Sequence, residues 1–217
     1  MSRWHVPLLA ALTASAAVAS LHLGLRFYSP AIVWDALITS PDTPDALIIN
    51  GLRVPRTCAA LVVGAALGTS GLLMQAVFRN PLAETGLLGV NAGASFVVVA
   101  AFTFAGVTSL WALSLAAFVG AAFAMAAIFA LILFARGTLT PISLVLAGVT
   151  IAAFLSALTQ VMIVTDEAAM EALLFWLSGG FADRDMSIVT VLGPVLLVGV
   201  ILAGLRAQAL AAMATGG

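Results

Sequence analysis

The stretch that decides the fold is Thr85–Ala135, which reads TGLLGVNAGASFVVVAAFTFAGVTSLWALSLAAFVGAAFAMAAIFALILFA. Its 51 residues contain no Asp, Glu, Lys or Arg. As one straight helix it would be about 77 Å long, more than twice the roughly 30 Å thickness of a bilayer's hydrocarbon core. The stretch therefore predicts two membrane-spanning helices, and Gly106–Ser109 is the expected turn between them.

Four further runs lack charged residues, and each is long enough for one span: Trp4–Leu25, Thr57–Phe78, Gly137–Thr165 and Met186–Leu205. We therefore predict an all-α fold, a polytopic transmembrane helical bundle that forms a single transmembrane domain over residues 1–217. Its six spans are expected at residues 6–25, 57–77, 87–105, 110–135, 142–165 and 187–205. For the first span a cleavable secretory signal is the alternative, because Arg3 precedes an apolar run that passes through the small residues Ala17–Ala19.

The composition excludes several classes of protein. Hydrophobic residues make up 63% of the chain and charged residues 8%, whereas a soluble domain has about 25% charged residues. The formal net charge of -1 offers no basic face for a nucleic acid. The single cysteine, Cys58, has no partner for an intrachain disulfide and is expected to act as a small apolar side chain.

The chain contains no lysine, since all its basic residues are arginines. The phosphate-binding loop of nucleotide hydrolases requires a lysine. If transport is powered by ATP, a separate subunit must bind and hydrolyse the nucleotide. The only histidines are His5 and His22, and no zinc-hydrolase or serine-hydrolase motif is present. We predict no catalytic residue, no metal site and no cofactor.

Glycines at helical spacing are expected to bring helices close together. Gly64, Gly68 and Gly71 lie in the predicted second span, and Gly89 and Gly93 lie in the third. Small residues at this interval allow helix backbones to approach closely in lipid. We interpret all five as helix-packing positions.

Each of the polar side chains in or beside the spans has two possible roles. Gln160, in the fifth span, can line a pore or make an interhelical hydrogen bond. Arg53 and Arg56 flank Pro55 before the second span, where they can anchor the helix at the interface or bind an acidic partner. Orientation also stays open, because an inside N-terminus divides the arginines equally between the two sides. The inner set is Arg3, Arg79, Arg136 and Arg206, and the outer set is Arg26, Arg53, Arg56 and Arg184.

An ordered set of motifs resembles the FecCD-type permease subunits of bacterial ABC importers for iron–siderophores, haem and cobalamin, of which the vitamin B12 permease is one. The resemblance covers roughly residues 50–206. Its landmarks are Leu52–Arg56, Gly64–Leu67, Ser70–Gly71, Gln75, Arg79–Ala83, Gly86–Gly89, Gly93–Ala94, Leu146–Gly148 and Phe175–Gly180.

The resemblance implies the ten-helix permease fold of type II ABC importers. It also implies a place in the bacterial inner membrane and a cytoplasmic N-terminus. Arg53 and Arg56 would dock the acidic residues of a periplasmic or lipoprotein binding protein. The residues of the translocation path and its cytoplasmic gate would be Gly137, Thr138, Thr140, Pro141 and Gln160. The other implied partners are a separate ATP-binding subunit and a second permease copy, in a homodimer or heterodimer, which together with this chain would transport by alternating access.

The sequence departs from the family pattern in two places. Thr85 stands where the family commonly has proline. Family members also continue past a sixth span into coupling helices and four more spans, and we expect these to be absent here. The chain would then be a fragment, a split product or a degenerate one, unable to couple ATP hydrolysis to transport alone.

The leading hypothesis is import of an iron(III)–siderophore or similar iron chelate. Haem or cobalamin import is the alternative within the same family. From other classes, the alternatives are an ion-coupled secondary transporter and a non-transporting truncated remnant.

Overall fold

The computed structural model describes residues 4–39, 42–80, 83–135, 137–179 and 186–205, and these form helices and connecting turns without strands. The α-helices are α1 (His5–His22), α2 (Pro30–Ile38), α3 (Pro44–Ile48), α4 (Val54–Phe78), α5 (Val90–Ala105), α6 (Leu110–Phe134), α7 (Pro141–Thr165), α8 (Glu167–Ser178) and α9 (Ser187–Leu205). A π-helical turn, Ile49–Arg53, joins α3 to α4, and a 3-10 turn, Thr85–Leu88, precedes α5.

Within the described residues, four helical segments are long and apolar enough to cross a membrane: His5–His22, Pro44–Phe78, Leu110–Phe134 and Pro141–Thr165. Two shorter apolar helices, Val90–Ala105 and Val189–Leu205, lie where the other two spans are expected. The polytopic helical bundle predicted from composition is confirmed. The six span boundaries and the single domain over residues 1–217 stay predictions.

Glycines determine both ends of α5. The helix starts at Val90, because Gly89 has φ 63° and residues 85–88 form the 3-10 turn. At the other end Gly106 has φ 60°, and its N–H bonds to the Phe102 carbonyl at 2.9 Å. A left-handed glycine is a common end to a helix. The fold-back therefore falls at the turn predicted at Gly106–Ser109.

Contacts divide the chain into two compact units, and α4 passes from one to the other. The first unit runs to Thr69 and also includes α9. Its core is small, and Tyr28 and Ile49 are its largest fully buried side chains. Val33 and Ala36 of α2 and Ala46 of α3 pack against them.

The second unit, which includes Ser70–Gly179, is built around α5, α6 and α7. Gly93 of α5 faces Gly120 of α6 so closely that a Cβ on either residue would overlap the other's carbonyl. Such contact between small residues stabilises helix pairs where lipid supplies no hydrophobic drive. One apolar cluster includes Ile128, Ile132 and Ala147. A second cluster joins Val99, Met162 and Leu173 of α5, α7 and α8.

Candidate functional site

Arg53 is the most enclosed cation of the described chain, with 9% of its surface exposed. It ends the π-helical turn, and its guanidinium donates to the Leu21 carbonyl at 2.8 Å and to the Arg26 carbonyl at 2.5 Å. The same guanidinium lies 4.5 Å from the centre of the Tyr28 ring. Two backbone acceptors and an aromatic face compensate its charge. Arg53 therefore fastens the loop between α1 and α2 to the start of α4.

The loop around Arg53 is closely fitted. A Cβ on Gly24 would lie 2.8 Å from the Arg53 Nη2 atom, so this position has no room for a larger residue unless the guanidinium moves. Arg26 forms an ion pair with Asp45 at 3.2 Å, and its side chain is 72% exposed. An exposed pair of this kind contributes little stability, about 0–1 kcal/mol.

Arg56 is placed differently from Arg53, although it lies only one helical turn further along α4. It is exposed and has no ion-pair or hydrogen-bond partner among the residues that the structure describes. The family resemblance implied docking for both arginines. Burial separates the two side chains, because Arg56 is exposed whereas Arg53 is 9% exposed, and docking itself stays a prediction.

A small polar pocket of about 300 Å³ lies in the second unit between α5, α7 and α8. Asn91 and Ser95 of α5 and Ser156, Thr159 and Gln160 of α7 line it. Thr159 is buried and donates to the Leu155 carbonyl at 2.8 Å. The Asn91 and Gln160 amides are exposed and have no hydrogen-bond partner within the described ranges. Asn91 and Gln160, on different helices, therefore line one polar pocket.

The predicted gate segment forms a tightly bonded turn before α7. Gly137 N–H donates to the Ile132 carbonyl at 3.0 Å, and the Thr140 side chain accepts from Ser143 N–H at 3.2 Å. Ser143 returns the bond by accepting from Thr140 N–H at 2.9 Å, which makes a capping box with Pro141 at the first helical position. The Thr138 carbonyl accepts from the Ser143 hydroxyl at 2.6 Å.

The predicted packing glycines fall into two groups. Gly93 contacts Gly120 and Ala124, and a Cβ on Gly89 would lie 3.0 Å from the Gly148 carbonyl oxygen. For Gly64, Gly68 and Gly71, a Cβ would meet nothing described within 4 Å. Close packing at these three positions is therefore not made by the described residues, and it stays a prediction.

Sequence reasoning missed three residues at these sites. Tyr28 is the only tyrosine of the chain, and its place just after Arg26 was the available signal. Ser143 follows Thr140 at the spacing of a capping box. Gly120 has no local signal, because only the approach of α5 to α6 makes its lack of a side chain necessary. Groups of His, Cys, Asp and Glu that could hold a metal are absent among the described residues.

The sequence pattern of one family, the FecCD transport family, matches residues 11–217. The chain belongs to the FecCD transport family. Its apolar helices and its FecCD relatives make it a multi-pass protein of the bacterial inner membrane.

Several curated FecCD relatives are similar to this chain. The probable siderophore transport system permease protein YfiZ of Bacillus subtilis is 39% identical over 83% of this chain and 54% of its own length. The ferric enterobactin transport system permease protein FepD of Escherichia coli is 38% identical over 89% of this chain and 58% of its own. The vitamin B12 import system permease protein BtuC of Klebsiella pneumoniae is 44% identical over 64% of this chain and 42% of its own. The chain spans about half the length of the relatives it matches.

A solved structure shares the fold. It is of a protein assigned to the metal-chelate type of ABC transporter, in an inward-facing conformation. The TM-score is 0.73 at 28% identity, over 95% of this chain and 61% of the other. The FecCD chain thus has the helical architecture of part of an ABC permease.

Proposed function

We propose that this chain is the transmembrane permease component of a binding-protein-dependent ABC importer for an iron(III)–siderophore or similar iron chelate. The observation that carries the proposal is the family match over residues 11–217. Relatives named for siderophore, ferric enterobactin, iron(III)-hydroxamate and iron(III)-citrate transport support an iron chelate as substrate. A cobalamin importer is the second candidate, favoured by BtuC relatives up to 44% identical. Haem is a further alternative substrate within the same family.

ATP hydrolysis would reside in a separate ATP-binding subunit. The absence of lysine supports this division of labour, because a phosphate-binding loop needs one. A second permease copy, identical or related, would complete the membrane part, and transport would proceed by alternating access.

We propose that the polar pocket at Gln160 borders the translocation path. Asn91, Ser156 and Gln160 present uncharged donors and acceptors in an otherwise apolar bundle. Polar groups are expensive in hydrocarbon unless they face water, a ligand or another polar group. Neutral amides and hydroxyls suit a large chelate that must be released again, since they bind without strong charge pairing. The capped turn holding Gly137, Thr138, Thr140 and Pro141 would form the cytoplasmic gate.

A substrate-binding protein would dock through acidic residues at the external end of α4. Arg56 is the better placed of the two predicted docking residues, because its guanidinium is exposed and unpaired among the described residues. Arg53 would act indirectly by fixing the loop beside it.

Uptake into proteoliposomes tests the proposal. The transporter is assembled from this permease, its ATP-binding subunit and its binding protein. The proteoliposomes are loaded with ATP, and labelled iron(III)-hydroxamate, iron(III)-catecholate or cobalamin is added outside. We expect ATP-dependent uptake of an iron chelate. Uptake of cobalamin alone would select the second candidate, and ATP-independent uptake driven by an ion gradient would overturn the ABC permease proposal.

A further inference from the structure

Between α1 and the start of α4, within the first unit, lies an open cavity of about 660 Å³. This volume falls in the range of small-molecule binding sites, about 300–1,000 Å³. Each helix lines the cavity with residues at helical spacing, which lie on one face. The lining residues of α1 are Thr13, Ala16, Ala17 and Ser20, and those of α4 are Arg56, Thr57, Ala60 and Leu61.

The two ends of the cavity differ in polarity. Ser20 Oγ and Thr57 Oγ1 lie 2.5 Å apart, so the end of α1 meets the beginning of α4. On one side of this contact lie Arg26, Arg53 and Arg56. On the other side both helices lead away into apolar residues. A cluster of arginines at the end of two apolar helices marks the membrane–water interface.

The polar groups of the cavity wall are almost all satisfied. Thr13 donates to the Leu9 carbonyl, Arg26 pairs with Asp45, and Arg53 binds two backbone carbonyls. Two donors remain without a partner among the described residues: the Arg56 guanidinium and the buried hydroxyl of Tyr28. Of these two, only the Arg56 guanidinium is on an exposed residue, and a guanidinium suits a phosphate, which brings only acceptor oxygens.

We propose that this cavity binds an anionic phospholipid. Its phosphate would lie at Arg56, and the part of an acyl chain nearest the head group would lie between α1 and α4. Charge complementarity selects the head group, because Arg26, Arg53 and Arg56 line that end and the described lining residues include no Asp or Glu. The apolar walls select a lipid over a free phosphate, which would leave them exposed. The proposal needs only the membrane and does not rest on the transport function.

Native mass spectrometry of the full chain in detergent, titrated with palmitoyl-oleoyl phosphatidylglycerol, tests it. We expect one lipid bound tightly. Arg56→Gln should weaken that binding about tenfold, the loss typical of one charge-assisted contact. The matched control is Arg79→Gln, which removes an exposed arginine outside the cavity and should change the affinity less than about twofold.

A second pair of variants tests the apolar wall without altering charge. Ala60→Leu places extra volume in the cavity and should weaken phosphatidylglycerol binding several-fold. Ala66→Leu, on α4 outside the cavity, should leave it unchanged. Circular dichroism of each variant checks that the helices persist.

Three outcomes would overturn the proposal. The first is equal affinity for phosphatidylcholine, which would remove the role of charge. The second is displacement of the lipid by inorganic phosphate at comparable concentration, which would indicate a free-anion site. The third is equal weakening by Arg56→Gln and Arg79→Gln. Docking of a binding protein at Arg56 would compete for the same guanidinium, and this experiment, done without one, leaves that separate proposal untouched.

Discussion

At the scale of the residue, the two arginines of Leu52–Arg56 show how one turn of helix changes the role of a side chain. Arg53 points into the loop between α1 and α2, where backbone carbonyls at 2.5 and 2.8 Å hold it. Arg56 is exposed. A planar fork with five donors can bind two carbonyls and lie on a tyrosine ring at once, which an ammonium cannot do.

Substitution by lysine should separate these roles. We expect Arg53→Lys to lower the free energy of unfolding by about 2 kcal/mol, because one of the two partly buried backbone carbonyls loses its donor and the Tyr28 ring loses its planar partner. Arg56→Lys is the control and should change it by less than about 0.5 kcal/mol. Denaturant unfolding in detergent micelles, followed by circular dichroism, measures both. Equal effects would contradict the assignment of Arg53 as the fastening residue.

At the scale of the element, close contact between α5 and α6 depends on a pair of glycines. A methyl group on Gly93 would meet the Gly120 carbonyl, whereas one on Gly64 would meet nothing described within 4 Å. We expect Gly93→Ala to destabilise the protein by about 1–3 kcal/mol through overpacking. Gly64→Ala should be neutral or stabilise α4 by up to about 1 kcal/mol, since alanine is the better helix former. Thermal unfolding in detergent distinguishes them, and a loss at Gly64 would indicate a partner outside the described residues.

The beginning of α7 is a second element with a specific local cause. Thr140 and Ser143 cap each other's backbone N–H groups. Thr140→Ala should cost about 1 kcal/mol, the usual loss on removing an N-cap. The control is Thr150→Ala on the same helix, whose exposed hydroxyl donates to the Leu146 carbonyl and has no other partner among the described residues. Amide hydrogen exchange should rise at residues 142–144 in the first variant alone, since Pro141 has no N–H. Unchanged exchange there would show that Pro141 suffices to start the helix.

At the scale of the whole molecule, the proposed docking of a binding protein is a prediction about charge. We expect Arg56→Glu in the assembled permease to weaken association with the substrate-binding protein at least tenfold at low salt. A contact between exposed charges should also weaken as salt rises, because ions screen it. Biolayer interferometry on permease in nanodiscs measures both effects, with Arg79→Glu as the control for net charge. Undiminished association of Arg56→Glu at low salt would count against docking at this end of α4.

Most of the architecture could be predicted from the sequence. The absence of charge from Thr85–Ala135 forces a helical hairpin, and Gly106 places its turn. The predicted span at 87–105 includes the end of the 3-10 turn at Thr85–Leu88, which is as apolar as the helix that follows. Apolar composition specifies that a segment enters the membrane. It does not specify where a helix begins.

The candidate sites were predicted less completely, for a physical reason. Gln160 and Asn91 were recognisable as amides in apolar runs, but they lie 69 positions apart in the sequence. Their shared pocket exists because α5 packs on α7. Arg53 and Arg56 likewise look alike in the sequence, since each is a cation at the start of an apolar helix. Their different burial therefore could not be predicted from the sequence.

The sequence by itself determined that the chain enters the membrane, that its described part is helical, and that it lacks the lysine of a nucleotide-binding loop. Those properties follow from side chains counted along a local segment. Only the tertiary structure decided that Arg53 is a fastening residue while Arg56 stays open, and that Gly93 needs Gly120 opposite it. A side chain's burial and partners depend on which distant backbone approaches it, and α1, the loop to Tyr28 and the π-helical turn meet only in the folded chain.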